Sequence, residues 1–252
     1  MGPSGDDSLS AASAAEQVAL GCRIIAGFGH EDLTLGHVSV RSTTEGHVYI
    51  KRKGIALGEV TPDDVIEIDL NDNDCLATPG MHLEAAIHVE VYRSRPDVGA
   101  VIHSHPLYAT ALGATSTDVV FLEFLTHDSV LFKDGIGIYS DSAELVTTTE
   151  QGKKVADALG GRRAALLKNH GVVVAGEDIR WAVMAAITLE RAIHLQILAR
   201  RLGSLDPLSQ EDAESVFPAK YQDKLLDEYW ALWERRFGAG LSDNVHGTEA
   251  GA

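Results

Sequence analysis

Apolar positions recur along this chain at two spacings, and the points where one spacing gives way to the other mark its elements. In "SAAEQVALGCRIIAGFG", residues 13–29, they fall at helical intervals and the run stops at glycine, which predicts an opening helix. "GHVSVRS" and "HVYIKRKG" alternate instead, and the "TTEG" between them reads as the turn of a hairpin. "TPDDVIEIDLNDND" predicts a turn, a strand and a polar turn. "MHLEAAIHVEVYRSRPD" is helical, with Pro96 marking its stop, and "VGAVIHSHP" is a buried strand. "PLYATALGAT" predicts a short helix with proline in its first turn, "TDVVFLEF" an extended stretch, and residues 142–161 a helix closed by glycines. "AALLKNHGVVVAG" gives strand, turn, strand; residues 177–203 form a long amphipathic helix, and a further helix runs to about Phe237. Strands and helices mix without strict alternation. The expected fold is α/β, one domain over residues 13–240 with helices covering a central, mainly antiparallel sheet.

Composition narrows the setting. The 252 residues are 45% hydrophobic, ample for a sizeable core. Lys and Arg number 21 against 37 Asp and Glu, a formal net charge of −16, which argues against nucleic acid or an anionic membrane as partner. A local basic pocket still leaves room for a small anionic substrate. Cys22 and Cys75 are too few for a disulfide framework and read as reduced thiols of a cytoplasmic protein. No apolar run is expected to reach the roughly 18 residues of a membrane span. The opening "MGPSGDDSLSAASAAE" has no basic segment of the signal-peptide kind, and residues 1–12 and 241–252 are expected to be flexible tails.

Three histidines and one glutamate then raise a chemical question. His103 and His105 are two apart on a strand, which sends both imidazoles to one side. His170 sits in "LLKNHGVVVAG", a polar break between apolar strands, where Gly171 permits a tight turn. Glu84 lies in the helix before the His103 strand, and a helix-to-strand hairpin would fold it back over the site. Three neutral imidazoles and a carboxylate suit a divalent ion such as Zn2+ or Mn2+ with a position open to substrate. Taken singly, the same histidines also fit a strand end and an ordinary turn.

The order and spacing of these residues carry a resemblance. "RPDVGAVIHSHP", preceded by a helical glutamate, and "KNHGVVVAG" resemble the class II aldolase/adducin family over about Val18 to Arg200. That family's metal site has two histidines in H-x-H, a third in an N-H-G turn, and a glutamate nineteen positions before the first histidine. Counting back from His103 lands on Glu84. The resemblance implies His103, His105, His170 and Glu84 as metal ligands. It also implies a homo-oligomer, commonly a tetrameric ring with sites at subunit interfaces. Adducin-type members lack the ligands and serve as structural modules; this chain retains all four.

The resemblance also implies three phosphate-binding loops, and this chain departs at each. One reads "GHVS", with His37 between Gly36 and Ser39. The next reads "KRKG" and offers Arg52 and Lys53. The third has His82 and Leu83 where serines would sit. Longer basic groups in place of small hydroxyls suit a carboxylate, which Arg grips in a bidentate fork. The "GHVSVR" variant resembles the decarboxylase-like branch, which acts on hydroxylated aromatic dicarboxylic acids such as dihydroxyphthalate. On that reading Glu84 is the first candidate for moving protons, with His82 and His37 as alternatives. Gly36, Ser39, Arg52, Lys53 and Tyr108 are the expected substrate contacts, although a basic pair near a hairpin end is also what a solvated turn looks like. Tyr139 and the aromatic run "YWALWERRF" are further candidates for a proton donor supplied by a neighbouring subunit. A sugar-phosphate aldolase or epimerase, and a non-catalytic module, are the alternatives.

Overall fold

The computed structural model describes residues 13–115, 122–142 and 144–238. The two expected tails and most of "TDVVFLEF" lie outside the described residues. Among the described residues, seven strands form one sheet: β1 (His37–Arg41), β2 (His47–Lys51), β3 (Val65–Asp69), β4 (Ala100–Ser104), β5 (Gly137–Tyr139), β6 (Ala164–Leu167) and β7 (Gly171–Gly176). Their order is β3-β2-β1-β4-β7-β6-β5, and only β5 and β6 run parallel. The helices are α1 (Ala14–Ile25), α2 (Ala85–Ser94), α3 (Leu107–Gly113), α4 (Thr149–Leu159), α5 (Ile179–Leu202), α6 (Gln210–Lys220) and α7 (Asp223–Phe237).

Strand alternation splits the core in two. Val38, Val40, Ile102, Val172 and Val174 join α1, α5 and α7 on one face. Val101, Val173, Ala175, Val48 and Ile50 join α2 and α4 on the other. Cys22 and Cys75 are buried free thiols, one in each cluster. The first hairpin and the β6–β7 hairpin follow the alternating runs, so the mainly antiparallel α/β sheet stands as expected.

Several boundaries differ, each for a local reason. Helix α2 begins at Ala85, so Glu84 precedes it as a turn residue at φ −97°, ψ 20°. Helix α4 begins at Thr149 because Thr148 and Gln151 close a reciprocal capping box that excludes residues 142–147. The C-terminal segment holds two helices, since the Ser209 box with Asp212 starts α6 well before α7. β5 has no alternating run to announce it; three residues pair along β6 at the sheet edge. Helix α5 corrects the expectation about membrane spans. An 18-residue window of it reaches a mean hydropathy of 1.4, but its apolar residues from Ile179 to Ile193 form the core against the sheet.

Candidate metal centre

β4 carries His103 to the sheet's end, where it is fully buried and faces α2 beside Val101. The strand stops at Ser104 because Pro106 has no N–H for the ladder and begins the turn into α3. His105 therefore stands one residue beyond the strand. His170 comes from the β6–β7 turn, which closes through Asn169 at φ +56°. Gly171 makes the approach possible: a Cβ there would lie 2.5 Å from the His105 ring and from the Ser104 carbonyl. Glu84 enters from the start of α2, its Oε1 accepting the Val146 N–H at 3.0 Å.

These four side chains converge. Their ligating atoms all lie within 4.8 Å of one another. Glu84 Oε2 is 3.6 Å from His103 Nε2 and 3.3 Å from His170 Nε2, and the two Nε2 atoms of His103 and His105 are 3.2 Å apart. Bonds of 2.0–2.1 Å in a tetrahedron give edges of about 3.4 Å, the same scale. The donor chemistry points the same way. His103 Nδ1 sits 3.1 Å from the Val172 carbonyl, and His105 Nδ1 lies 3.0 Å from Asp32 Oδ2. Both partners only accept, so each Nδ1 carries the proton and each Nε2 presents a lone pair. Two lone pairs 3.2 Å apart repel unless a cation lies between them. The residues present fit a divalent ion.

Burial opposes charge on Glu84, but the adjoining His103 and His170 rings, together with the Val146 N–H, outweigh it and hold its carboxyl well below the usual range. Burial first, with neighbouring histidines second, pushes His37 and His88 well below the ordinary imidazole value and keeps them neutral.

The cluster opens on a cavity of about 710 Å³. Gly36, His37, Lys53 and His82 line it, and Gly36 takes φ +74° to turn the chain along its wall. His82 is engaged on both sides: Lys51 Nζ lies 3.3 Å from its Nε2, and the ring also hydrogen-bonds the Arg52 backbone. Burial, then the Lys51 ammonium, pushes it down to about 3. Ser39 lies behind the wall, fully buried against His88. Two expected contacts point elsewhere. Arg52 pairs with Asp64 at 2.8 Å, and Tyr108 stacks on His194 at 3.9 Å between ring centroids. Tyr139 is buried in the sheet core, unavailable to a neighbour.

Sequence reasoning missed four participants, Asp32, Lys51, Leu35 and Leu145. Asp32 sits in a loop whose path no periodicity reports. Lys51 is fully buried at the end of β2, bonded to His82 and the Thr34 carbonyl; alternation along "HVYIKRK" was the signal that separates its face from that of Arg52. The cavity mouth carries Leu35, Leu83 and Leu145, which remain 46%, 68% and 52% exposed.

Fold and site together define an α/β protein with a four-residue centre able to hold a metal ion at the floor of a cavity. Residues 16–197 match the family described as the Class II Aldolase and Adducin N-terminal domain, and the chain belongs to the class II aldolase/adducin family. Decarboxylase NovR of Streptomyces niveus is 35% identical over 156 residues, 61% of this chain and 57% of that relative. The L-fuculose phosphate aldolase of Methanocaldococcus jannaschii is 32% identical over 165 residues, 65% of this chain and 84% of the aldolase. The 3,4-dihydroxyphthalate decarboxylase of Arthrobacter keyseri is 27% identical over 205 residues, 77% of this chain and 82% of the decarboxylase. Of two Streptomyces relatives at 35% identity, the match spans little more than half the length, 55% and 57%. Among solved structures, L-fuculose 1-phosphate aldolase from Glaciozyma antarctica PI12 shares the fold, with a TM-score of 0.75, 24% identity and 90% of each chain covered.

Proposed function

We propose that this chain is a divalent-metal-dependent carbon–carbon lyase that decarboxylates a hydroxylated aromatic dicarboxylic acid of the dihydroxyphthalate type. The observation that carries the reading is the cavity wall. Where the family resemblance implies small hydroxyls for a phosphate, this chain sets His82 and Leu83, with Leu35 and Leu145 beside the mouth. An apolar collar above a metal-binding floor suits a flat ring with polar groups on one edge. The names of two relatives, both decarboxylases, support the same class.

His103, His105, His170 and Glu84 would hold the ion, Zn2+ or Mn2+ by the donor set. When bound, it supplies Lewis-acid stabilisation for the electron pair released as the C–C bond breaks. Lys53 and His37 face the cavity as partners for substrate oxygens, and the leucines exclude water from the ring. Glu84, hydrogen-bonded by Val146 and ionised at the cavity floor, is positioned to take and return a proton at Oε2. The family resemblance further supports a homo-oligomer, tetrameric with interfacial sites, and the two buried thiols suit a cytoplasmic setting.

The test is substrate competition. Protein loaded with Zn2+ or Mn2+ is expected to release CO2 from a dihydroxyphthalate, to lose that activity with EDTA, and to leave fuculose 1-phosphate intact. Aldehyde release from the sugar phosphate, with no CO2 from the aromatic acid, would transfer the chain to the aldolases.

A further inference from the structure

Helix α2 lies directly over β1 on one face of the sheet, with matched periods. His37 and Ser39 are two apart on the strand, and His88 and Tyr92 are four apart on the helix, so both pairs present side chains at nearly one interval. The four interleave into a single file. His37 Nδ1 is 2.6 Å from His88 Nε2, His88 Nδ1 is 2.6 Å from Ser39 Oγ, and Ser39 Oγ is 2.9 Å from Tyr92 Oη. All four are buried. The reading of the cavity as a metal-dependent active site uses only the first.

We propose that Tyr92, Ser39 and His88 set the direction of this file so that His37 presents Nε2–H to the cavity as a fixed hydrogen-bond donor to an oxyanion or carboxylate of the substrate. His37 lines the cavity, and with Nδ1 committed to His88 its only other polar atom is Nε2. The direction follows from the serine. Its one hydrogen can go to His88 Nδ1 at 2.6 Å, to Tyr92 Oη at 2.9 Å or to the Val101 carbonyl at 3.5 Å, the last at the outer limit of a hydrogen bond. Tyr92 Oη already accepts from the Val101 backbone, and among the described residues Ser39 Oγ is the one acceptor for its own hydrogen, so the tyrosine donates to the serine. With the hydrogen on the short bond, His88 carries its proton on Nε2 and donates it to His37 Nδ1. The proton of His37 is then on Nε2. Tyr92 donates to Ser39 from behind and receives a backbone hydrogen bond from Val101.

The file orients and does not conduct. It ends at Tyr92, buried beneath the Arg41 guanidinium at 4.8 Å from the ring centroid, and burial drives that phenol well above its ordinary range. A proton leaving through His37 would therefore strand a phenolate in the core. His37 touches substrate, and His88, Ser39 and Tyr92 are positioning residues.

The inference rests on the metal-site reading above, but its test needs no turnover. Full-length protein loaded with diamagnetic Zn2+ and labelled with 15N-histidine gives long-range 1H–15N ring correlations that report the tautomer of each imidazole. The His37 signals are identified by their loss in His37→Gln. Expected is the Nε2–H form for both His37 and His88, shifted toward a mixture in Tyr92→Phe and lost or mixed in Ser39→Ala. In steady-state assays with the aromatic dicarboxylate, Ser39→Ala should raise KM about ten-fold with kcat little changed, the scale of one hydrogen bond to a charged group. An Nδ1–H tautomer for His37 in the wild-type protein, or an unchanged tautomer in Ser39→Ala, overturns the proposal. A wild-type Nε2–H signal with no decarboxylation of any aromatic acid would instead sink the substrate reading and leave this one standing.

Discussion

Asp32 is the most direct lever on the metal centre, because it touches a ligand and nothing else in the cluster. Its Oδ2 lies 3.0 Å from His105 Nδ1, fixing the ring so that Nε2 points inward and raising its basicity. Removing such a partner costs ten- to a hundred-fold in metal affinity, about 1.4 to 2.7 kcal/mol. The Asp32 side chain is 42% exposed, so solvent screening moves the expectation to the lower end. Asp32→Ala should weaken Zn2+ binding about ten-fold. Asp32→Asn keeps an acceptor oxygen but loses the charge. Since a charge-assisted bond is about twice as strong as a neutral one, it should weaken binding only about three-fold.

The assay is competition with a chromophoric chelator at fixed pH and ionic strength. Melting curves confirm that each variant is folded, and Asp63→Ala, at an exposed carboxylate, controls for the general loss of one surface charge. The ordering Ala, then Asn, then wild type, with the control at wild type, is the expected outcome. Equal affinities within two-fold for all four proteins would mean that the His105 ring is held by packing alone, and the tautomer argument for a cation between the histidines would lose one of its two supports.

Two further expectations concern stability. Burial pushes His30 down to about 4, against a weaker opposing contact with the Ala186 backbone; its Nδ1 is tied to Ser104 Oγ at 2.9 Å. The folded state thus refuses a proton that the unfolded chain accepts. Stability is complete above the unfolded value near 6.5 and falls as pH drops toward 4, by about 3 kcal/mol from this group. Urea titrations at several pH values should show a shallower acid limb in His30→Gln, and parallel profiles would refute the assignment. Glu190 accepts the Tyr108 and Ala109 N–H groups at 2.8 and 2.9 Å, capping α3 from α5 in the core. Glu190→Ala orphans one buried and one half-buried donor and should cost about 2–4 kcal/mol, read as a fall in Tm of roughly 5–12 °C; a shift under two degrees would show that α3 needs no cap.

Much of this was legible in the chain, and the residues show where legibility ends. The H-x-H spacing on a β-period run predicts two imidazoles on one side, and the rings do meet although His105 lies one residue past β4; the turn at Asn169 and Gly171 follows from residue type. Glu84 was findable only by its distance in sequence from His103, and even so it sits before the helix, because the first turn of α2 starts at Ala85. Arg52 and Lys51 mark the limit. Both are basic and adjacent; alternation puts them on opposite faces, but only the pairing of β2 with β1 and β3 decides that Lys51 is the one turned inward under His82 while Arg52 turns out to Asp64. His88 and Tyr92 were readable as one helix face, but their partners on β1 depend on how the helix lies across the sheet, which no local pattern encodes.

The cavity resolves an electrostatic tension that the composition alone creates. A chain of net charge −16 should repel an anionic substrate, and a dicarboxylate most of all. Exposed charges farther off than about 8–10 Å are screened at physiological salt, so what the substrate meets is set by the wall itself. Around that wall, His37, His82 and His88 are kept neutral by burial, and Glu84 is the one buried carboxylate in the cluster. Lys53 at the rim and Lys51 beneath His82 balance the two carboxylates of the wall, Glu84 and Asp32, before any ion is added. A divalent cation at the centre would make the floor decidedly positive beneath the apolar mouth of Leu35, Leu83 and Leu145. Lys53→Glu should therefore weaken anion binding far more than a charge reversal on the outer surface, although both change the net charge equally.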